Sequence, residues 1–176
     1  FTLDVSTACV TAEGGASLDA ILRNIVPKGF FVPVTPGTRF VTVGGAIAAD
    51  VHGKNHHVDG TFGAHVSRLR LVTAQGESMN LAPRGPSAMD FWATVGGMGL
   101  TGVIAEATFD VIPIETSRMS VDTDRFGDLD SLMSAMVDRD ADYRYSVAWV
   151  DSLSESGRGI LTRGDHATRD ELPRAK

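Results

Sequence analysis

A single cysteine, Cys9, stands in a chain of 176 residues. That scarcity excludes an internal disulfide framework, and it leaves the redox compartment unread. Long apolar runs are missing too. No stretch approaches the roughly 20 residues of a membrane-spanning helix, and no secretory leader pattern is visible. Positive charge is sparse and scattered. Lys and Arg number 16 against 22 Asp and Glu, a net charge of −6, and no basic run offers the face that nucleic-acid phosphates require. No serine occupies a Gly-x-Ser-x-Gly elbow. Cys9, set among small and apolar residues, has no activating neighbour and reads as a buried structural thiol. What remains, 43% hydrophobic and 22% charged, is the composition of an ordinary globular domain with a sizeable core. The chain opens on Phe1 and closes on Lys176 in a polar tail, and both ends read as cuts in a longer polypeptide.

Glycine is plentiful, 19 residues gathered in blocks, and the blocks punctuate a readable series of elements. Phe1 to Val10 reads as a strand, broken at Glu13-Gly14-Gly15-Ala16. Ser17 is suited to cap a helix whose apolar positions Leu18, Ile21, Leu22 and Ile25 follow at helical spacing, with Pro27-Lys28-Gly29 ending it. Phe30 to Val34 reads as a short buried strand. Val66–Thr73 and Glu77–Leu81 alternate about Ala74-Gln75-Gly76 and predict a hairpin. Ser87 to Val95 predicts a short helix, stopped by Gly96-Gly97, and Leu100 to Ile114 is β-prone. Beyond Pro113–Thr116 the texture changes. Met119–Asp122, Tyr143–Val150 and Gly159–Thr162 read as strands, Asp128–Val137 as an amphipathic helix, and the acid pairs Asp122/Asp124 and Asp138/Asp140 as solvated turn residues. The pattern predicts an α+β chain with a boundary near residue 115, giving domains 1–115 and 116–176.

The segment Thr35–His57, TPGTRFVTVGGAIAADVHGKNHH, carries most of the functional signal. Glycine permits close approach to the backbone, and successive N–H groups at such turns can bind phosphate oxygens without side-chain charge. Pro36-Gly37-Thr38 and Thr42-Val43-Gly44-Gly45 fit that use. Ala46, Ala48 and Ala49 keep the next turn thin enough for a flat ring. The same residues would also serve a tight turn between closely packed elements. Gly96-Gly97-Met98-Gly99-Leu100-Thr101-Gly102 has similar character and favours a ligand, or else a helix C-cap. Asp50 reads as a backbone clamp, holding the loop of His52. His52 and His56 are four apart, but Gly53 and Asn55 disfavour a helix between them and no ligand set is complete, so no metal site is expected. The histidines and Lys54 instead read as a polar cluster at a reacting end, with His52 donating hydrogen bonds or a proton, and a solvated loop is the alternative for His56 and His57.

Val41–His57 (VTVGGAIAADVHGKNHH), Gly60–Val66 (GTFGAHV) and Phe91–Ile104 (FWATVGGMGLTGVI) resemble flavoproteins of the vanillyl-alcohol oxidase group, over most of the chain from about Leu18 to Pro173. The resemblance implies an FAD-binding domain of the PCMH type, followed by the start of a substrate domain. It implies non-covalent FAD, with Gly37, Thr42, Val43, Gly44, Gly45, Ala49, Asp50, Val51, His52 and Ile104 in contact with it. His52 and Lys54 would face flavin and substrate as the catalytic residues. Within the group, the likeness points to oxidation of the C2′ hydroxyl of a decaprenylphosphoryl ribose, with hydride passing to the flavin. That is the first half of an epimerisation supplying the arabinose donor of cell-wall arabinan in mycobacteria, completed by a nicotinamide-dependent reductase partner. Another aldonolactone- or alditol-type oxidase, or a non-catalytic nucleotide-binding module, are the alternatives. The lipid-linked substrate implies work near the inner membrane, on its periplasmic or cytoplasmic side, though no anchor is readable. The group's Arg-Gly-x-Gly-x-Ser loop and its C-terminal substrate-domain residues have no counterpart in the sequence, which therefore is expected to hold only part of the cofactor site.

Overall fold

The computed structural model describes residues 1–173 and divides into two compact units. The first comprises Phe1–Gly53 and Gly60–Ile114; the second comprises Lys54–Asp59 and the chain from Glu115 onward. In chain order the elements are β1 (Thr2–Asp4), β2 (Cys9–Glu13), α1 (Leu18–Ile25), β3 (Phe30–Phe31), α2 (Val43–Ala48), α3 (His56–Asp59, in the second unit), β4 (Val66–Val72), β5 (Ser78–Leu81), α4 (Ala88–Thr94), β6 (Val103–Asp110), β7 (Ile112–Pro113), β8 (Met119–Phe126), α5 (Leu129–Arg139), β9 (Tyr145–Val150) and β10 (Gly159–His166).

The first unit is built on a five-stranded antiparallel sheet in the order β1-β2-β6-β4-β5. The stretch read as one strand from Phe1 to Val10 is a hairpin instead. The Asp4 carboxylate accepts from the Ser6 and Thr7 amides at 2.9 and 3.3 Å, and Ala8 takes a left-handed φ of 52°, so local turn chemistry outweighs the β pattern. Cys9, at the start of β2, is only half-buried; burial and the Asp110 carboxylate 3.3 Å away push its thiol up, away from a reactive thiolate. Helix α1 follows its sequence pattern closely. Ser17 caps it, accepting from Ala20 N at 3.2 Å, and Leu18, Ile21 and Ile25 are at most 1% exposed. They join Val10, Phe62, Leu69 and Phe109 in one apolar core, where the Phe62 and Phe109 rings lie 5.1 Å apart. Burying each such ring contributes about 1.5–3 kcal/mol. The strand read at Phe30–Val34 is shortened to β3, paired with β7.

The second unit is a three-stranded antiparallel sheet in the order β8-β10-β9, with α5 packed on it through fully buried Leu132. Asp128 caps α5 at 2.8 Å from Ser131 N. Asp122 and Asp124 lie on β8 and not in a turn: Asp122 accepts from the Tyr143 hydroxyl at 2.6 Å, and Asp124 pairs with Arg163. Residues 54–59, expected to continue the first domain, belong here because backbone and ionic bonds tie them to the β9 end of this sheet.

Candidate cofactor site

Helix α2 is only six residues long and rests on its cap. Thr42 Oγ1 accepts from Gly45 N at 3.1 Å. Its other leading amides are also engaged: Val43 N donates to Ala16 O and Gly44 N to Gly14 O, both at 2.8 Å. The first amides of α1 are likewise satisfied, Leu18 N by Val41 O and Asp19 N by Arg39 O. These bonds correct the expectation of free N–H groups at Thr42–Gly45 waiting for phosphate. What the glycines supply is room.

That room is an open groove of about 370 Å³ in the first unit. Its walls are Gly14-Gly15, Gly44-Gly45 with Ala48, Met98-Gly99, and Gly102 to Ile104. A Cβ on Gly14 would sit on the Ile104 carbonyl, and one on Gly44 would lie 3.1 Å from Gly14 O, so these two glycines let backbones cross. Gly15 is different. It is exposed, its φ is not left-handed, and a Cβ there meets no atom within 4 Å. Among the described residues nothing crowds that position, so its bare backbone is open to a group laid against it.

The two glycine blocks meet here. Gly96 N donates to Ile47 O at 3.0 Å and Met98 N to Ala48 O at 2.8 Å, closing the C-terminus of α2. Met98 holds a left-handed φ of 53° with a 72% exposed side chain at the groove's edge. Gly97-Met98-Gly99-Leu100-Thr101-Gly102 also has Gly-x-Gly-x-x-Gly spacing. It runs from helix α4 into strand β6, the reverse of the strand-to-helix order that aims a helix N-terminus at a pyrophosphate.

Of the residues expected at the cofactor, Gly44, Gly45 and Ile104 line the groove. Thr42 is the cap of α2, and Val43 is fully buried in the core. Ala49 is the C-cap of α2. Gly37 is exposed, with no atom within 4 Å of its missing Cβ. Asp50 is the backbone clamp its setting suggested: at a left-handed φ of 42° its carboxylate accepts from Gly63 N at 2.9 Å. Phe62 N donates to Val51 O at 2.9 Å and His52 bridges Thr61, so Asp50 to His52 are laced to Thr61 to Gly63. His52 is exposed in the first unit; Lys54, one glycine away in sequence, is exposed in the second. His57, exposed on α3, places its Nε2 3.0 Å from Asp140 O and 2.9 Å from Tyr143 O. Among the described residues no group of three His, Cys, Asp or Glu could hold a metal ion. Gly14-Gly15 were not legible as site residues, reading in sequence only as a strand break, whereas Met98-Gly99 belong to the second glycine block, whose character favours a ligand.

Residues 1–82 match the protein family described as FAD binding domain. The match covers a little under half of the chain. The cofactor is FAD, and the groove, walled largely by bare glycine backbone, has room for a group laid against it. Over 176 residues, 98% of the chain, it is 47% identical to decaprenylphosphoryl-beta-D-ribose oxidase of Mycolicibacterium smegmatis. It is 30% identical over 114 residues, 65% of the chain, to L-gulono-1,4-lactone dehydrogenase of Mycobacterium tuberculosis. It is 27% identical over 111 residues, 63% of the chain, to alditol oxidase of a Streptomyces species. The chain spans 38% of the length of the first relative and 26% of each of the other two.

Proposed function

We propose that this chain is part of an FAD-dependent oxidoreductase that oxidises the C2′ hydroxyl of a decaprenylphosphoryl ribose to the ketone. This is the first half of an epimerisation to the arabinose form used for cell-wall arabinan. The observation that carries the reading is the extent of the likeness to the ribose oxidase: 98% of the chain, and so through both units. In this reading residues 1–115 form part of the FAD-binding domain and 116–176 begin the substrate domain.

FAD, when bound, supplies the two-electron acceptor, held non-covalently. The chain's own work is placement and electrostatics. Gly15, Gly44, Gly45 and Ile104 leave the backbone open to the cofactor; Thr42, Val43 and Ala49 hold α2 in place behind them, Asp50 and Val51 tie its end to Phe62 and Gly63, and Gly37 is assigned to the cofactor by the family resemblance. His52 is assigned to hydrogen bonding at the reacting end. Lys54 offsets the negative charge of the substrate phosphate. A nicotinamide-dependent reductase completes the epimerisation, and the lipid-linked substrate places the enzyme beside the inner membrane. Among the described residues no helix is long and apolar enough to cross one.

Turnover of the flavin-loaded full chain on polyprenyl-phosphoryl ribose tests this. Reduction by that donor and not by free alditols is expected. The likeness to alditol oxidase and gulonolactone dehydrogenase supports a second reading, an alditol- or lactone-type oxidase. Preference for free alditols, with flavin that stays bound through acid precipitation, would establish that reading instead.

A further inference from the structure

The second unit takes a six-residue piece of chain, Lys54–Asp59, out of the middle of the first, and several independent bonds hold it there. The Lys54 carbonyl accepts from Ser146 N at 2.9 Å, covering part of β9, an edge strand whose backbone groups would otherwise face water. His57 Nε2 lies within 3.0 Å of the Asp140 and Tyr143 carbonyls. Arg144 grips Asp59 with both arms, Nε to Oδ2 at 2.9 Å and Nη2 to Oδ1 at 2.8 Å. The Asp59 side chain is 11% exposed and that of Arg144 32%, so water screens this pair less than an ordinary surface one. Asn55, fully buried, donates to Asp59 Oδ2 at 2.6 Å. Asp165 accepts from Arg144 N at 2.9 Å and fixes the backbone from which the guanidinium extends.

All this rigidity surrounds one exposed cation. Lys54 has a long flexible stem, and a point charge at the end of such a stem selects an anion only if its base does not move. A fork-on-fork Arg–carboxylate pair sets geometry as well as attraction, which a lysine in place of Arg144 could not.

We propose that Arg144 is a positioning residue for Lys54: by clamping Asp59 to the end of β9, it fixes the segment from which the Lys54 ammonium meets the anionic group of the substrate. The inference rests on the reading of Lys54 given under Proposed function. Arg144 takes no part in the chemistry, and the residues that line the FAD groove belong to the first unit. Removing Arg144 therefore acts on substrate capture and leaves the flavin in place.

The test is a cycle of variants in the flavin-loaded full chain, with polyprenyl-phosphoryl ribose as electron donor. Arg144→Ala and the isosteric Asp59→Asn are each expected to raise KM about tenfold, with kcat changed by less than about twofold and flavin content unchanged. Arg144→Lys restores only part of the loss. Lys54→Met alone raises KM to a similar degree. In the Lys54→Met background, Arg144→Ala then adds nothing further. Hydrogen exchange supplies a readout apart from turnover: the amides of residues 54–59 lose protection in Arg144→Ala and Asp59→Asn and keep it in Lys54→Met. Additive effects of Lys54→Met and Arg144→Ala overturn the inference while leaving the role of Lys54 intact, as does lost flavin with KM unchanged. A Lys54→Met enzyme with normal KM overturns the reading of Lys54 and the inference with it.

Discussion

A Cβ placed on Gly14 would sit on the Ile104 carbonyl, whereas one placed on Gly15 meets no atom within 4 Å. The two neighbours should therefore fail differently when enlarged. Gly14→Val cannot keep the crossing of β2 and β6 and is expected to give insoluble or unfolded protein. Gly15→Val should fold, with a stability change within about 0.5 kcal/mol by urea denaturation of the apoprotein, yet bind FAD at least about tenfold more weakly by fluorescence titration. Equal flavin affinity in Gly15→Val would show that the bare backbone there serves no ligand. Thr42 makes a third case. Thr42→Ala removes the side-chain cap of the six-residue α2 and should cost about 1 kcal/mol, whereas Thr42→Ser should cost much less. Sequence alone cannot sort these residues: Gly-Gly has one appearance whether it permits a crossing or a ligand, and only the atoms opposite the missing side chains tell the two apart.

Elements were legible where local rules and packing agree. Ser17 with Leu18, Ile21 and Ile25 announces α1, and Ala74-Gln75-Gly76 between alternating runs announces the β4–β5 hairpin. Legibility failed where short-range polar bonds compete with pattern. Asp4 turns the chain inside what reads as one strand, and the helix pattern of Asp128–Val137 contains Leu129 and Met133, which remain 40% and 55% exposed. Strand β10 carries a feature no pattern shows. Its last residue, His166, lies 3.0 Å from the buried Tyr145 hydroxyl. Burial pushes Tyr145 up to about 12, so the hydroxyl stays protonated and donates to Nε2. Burial, with the Arg144 guanidinium adding to it, holds His166 below its ordinary 6.5. The unfolded chain takes up that proton below 6.5 while the folded one resists, so the stability contributed is intact above 6.5 and falls as pH drops toward the lower folded value. The melting temperature should accordingly fall more between about pH 7.5 and 5.5 in the parent chain than in His166→Gln. Parallel declines would remove His166 from the account.

Composition and texture change near residue 115, where the two compact units also divide. The second division, at Gly53/Lys54 and Asp59/Gly60, was not readable in the sequence, because its causes are long-range: the partners of Asp59 and Lys54 are Arg144 and Ser146, more than eighty positions away. Hydrogen exchange on paired core variants separates the two units. Leu132→Ala in the second and Phe109→Ala in the first should each cost several kcal/mol, about 2–5 and 3–5 respectively. Amides of residues 54–59 are expected to lose protection in Leu132→Ala and to hold it better in Phe109→Ala, despite lying within the first unit's stretch of sequence. The annexed segment also has a meaning for recombination between relatives. A chimaera joined at residue 114 inherits its strap from one parent and the arginine that grips it from the other. One that also exchanges residues 54–59 keeps both from the same parent, so the unit of exchange is two pieces of sequence and not one.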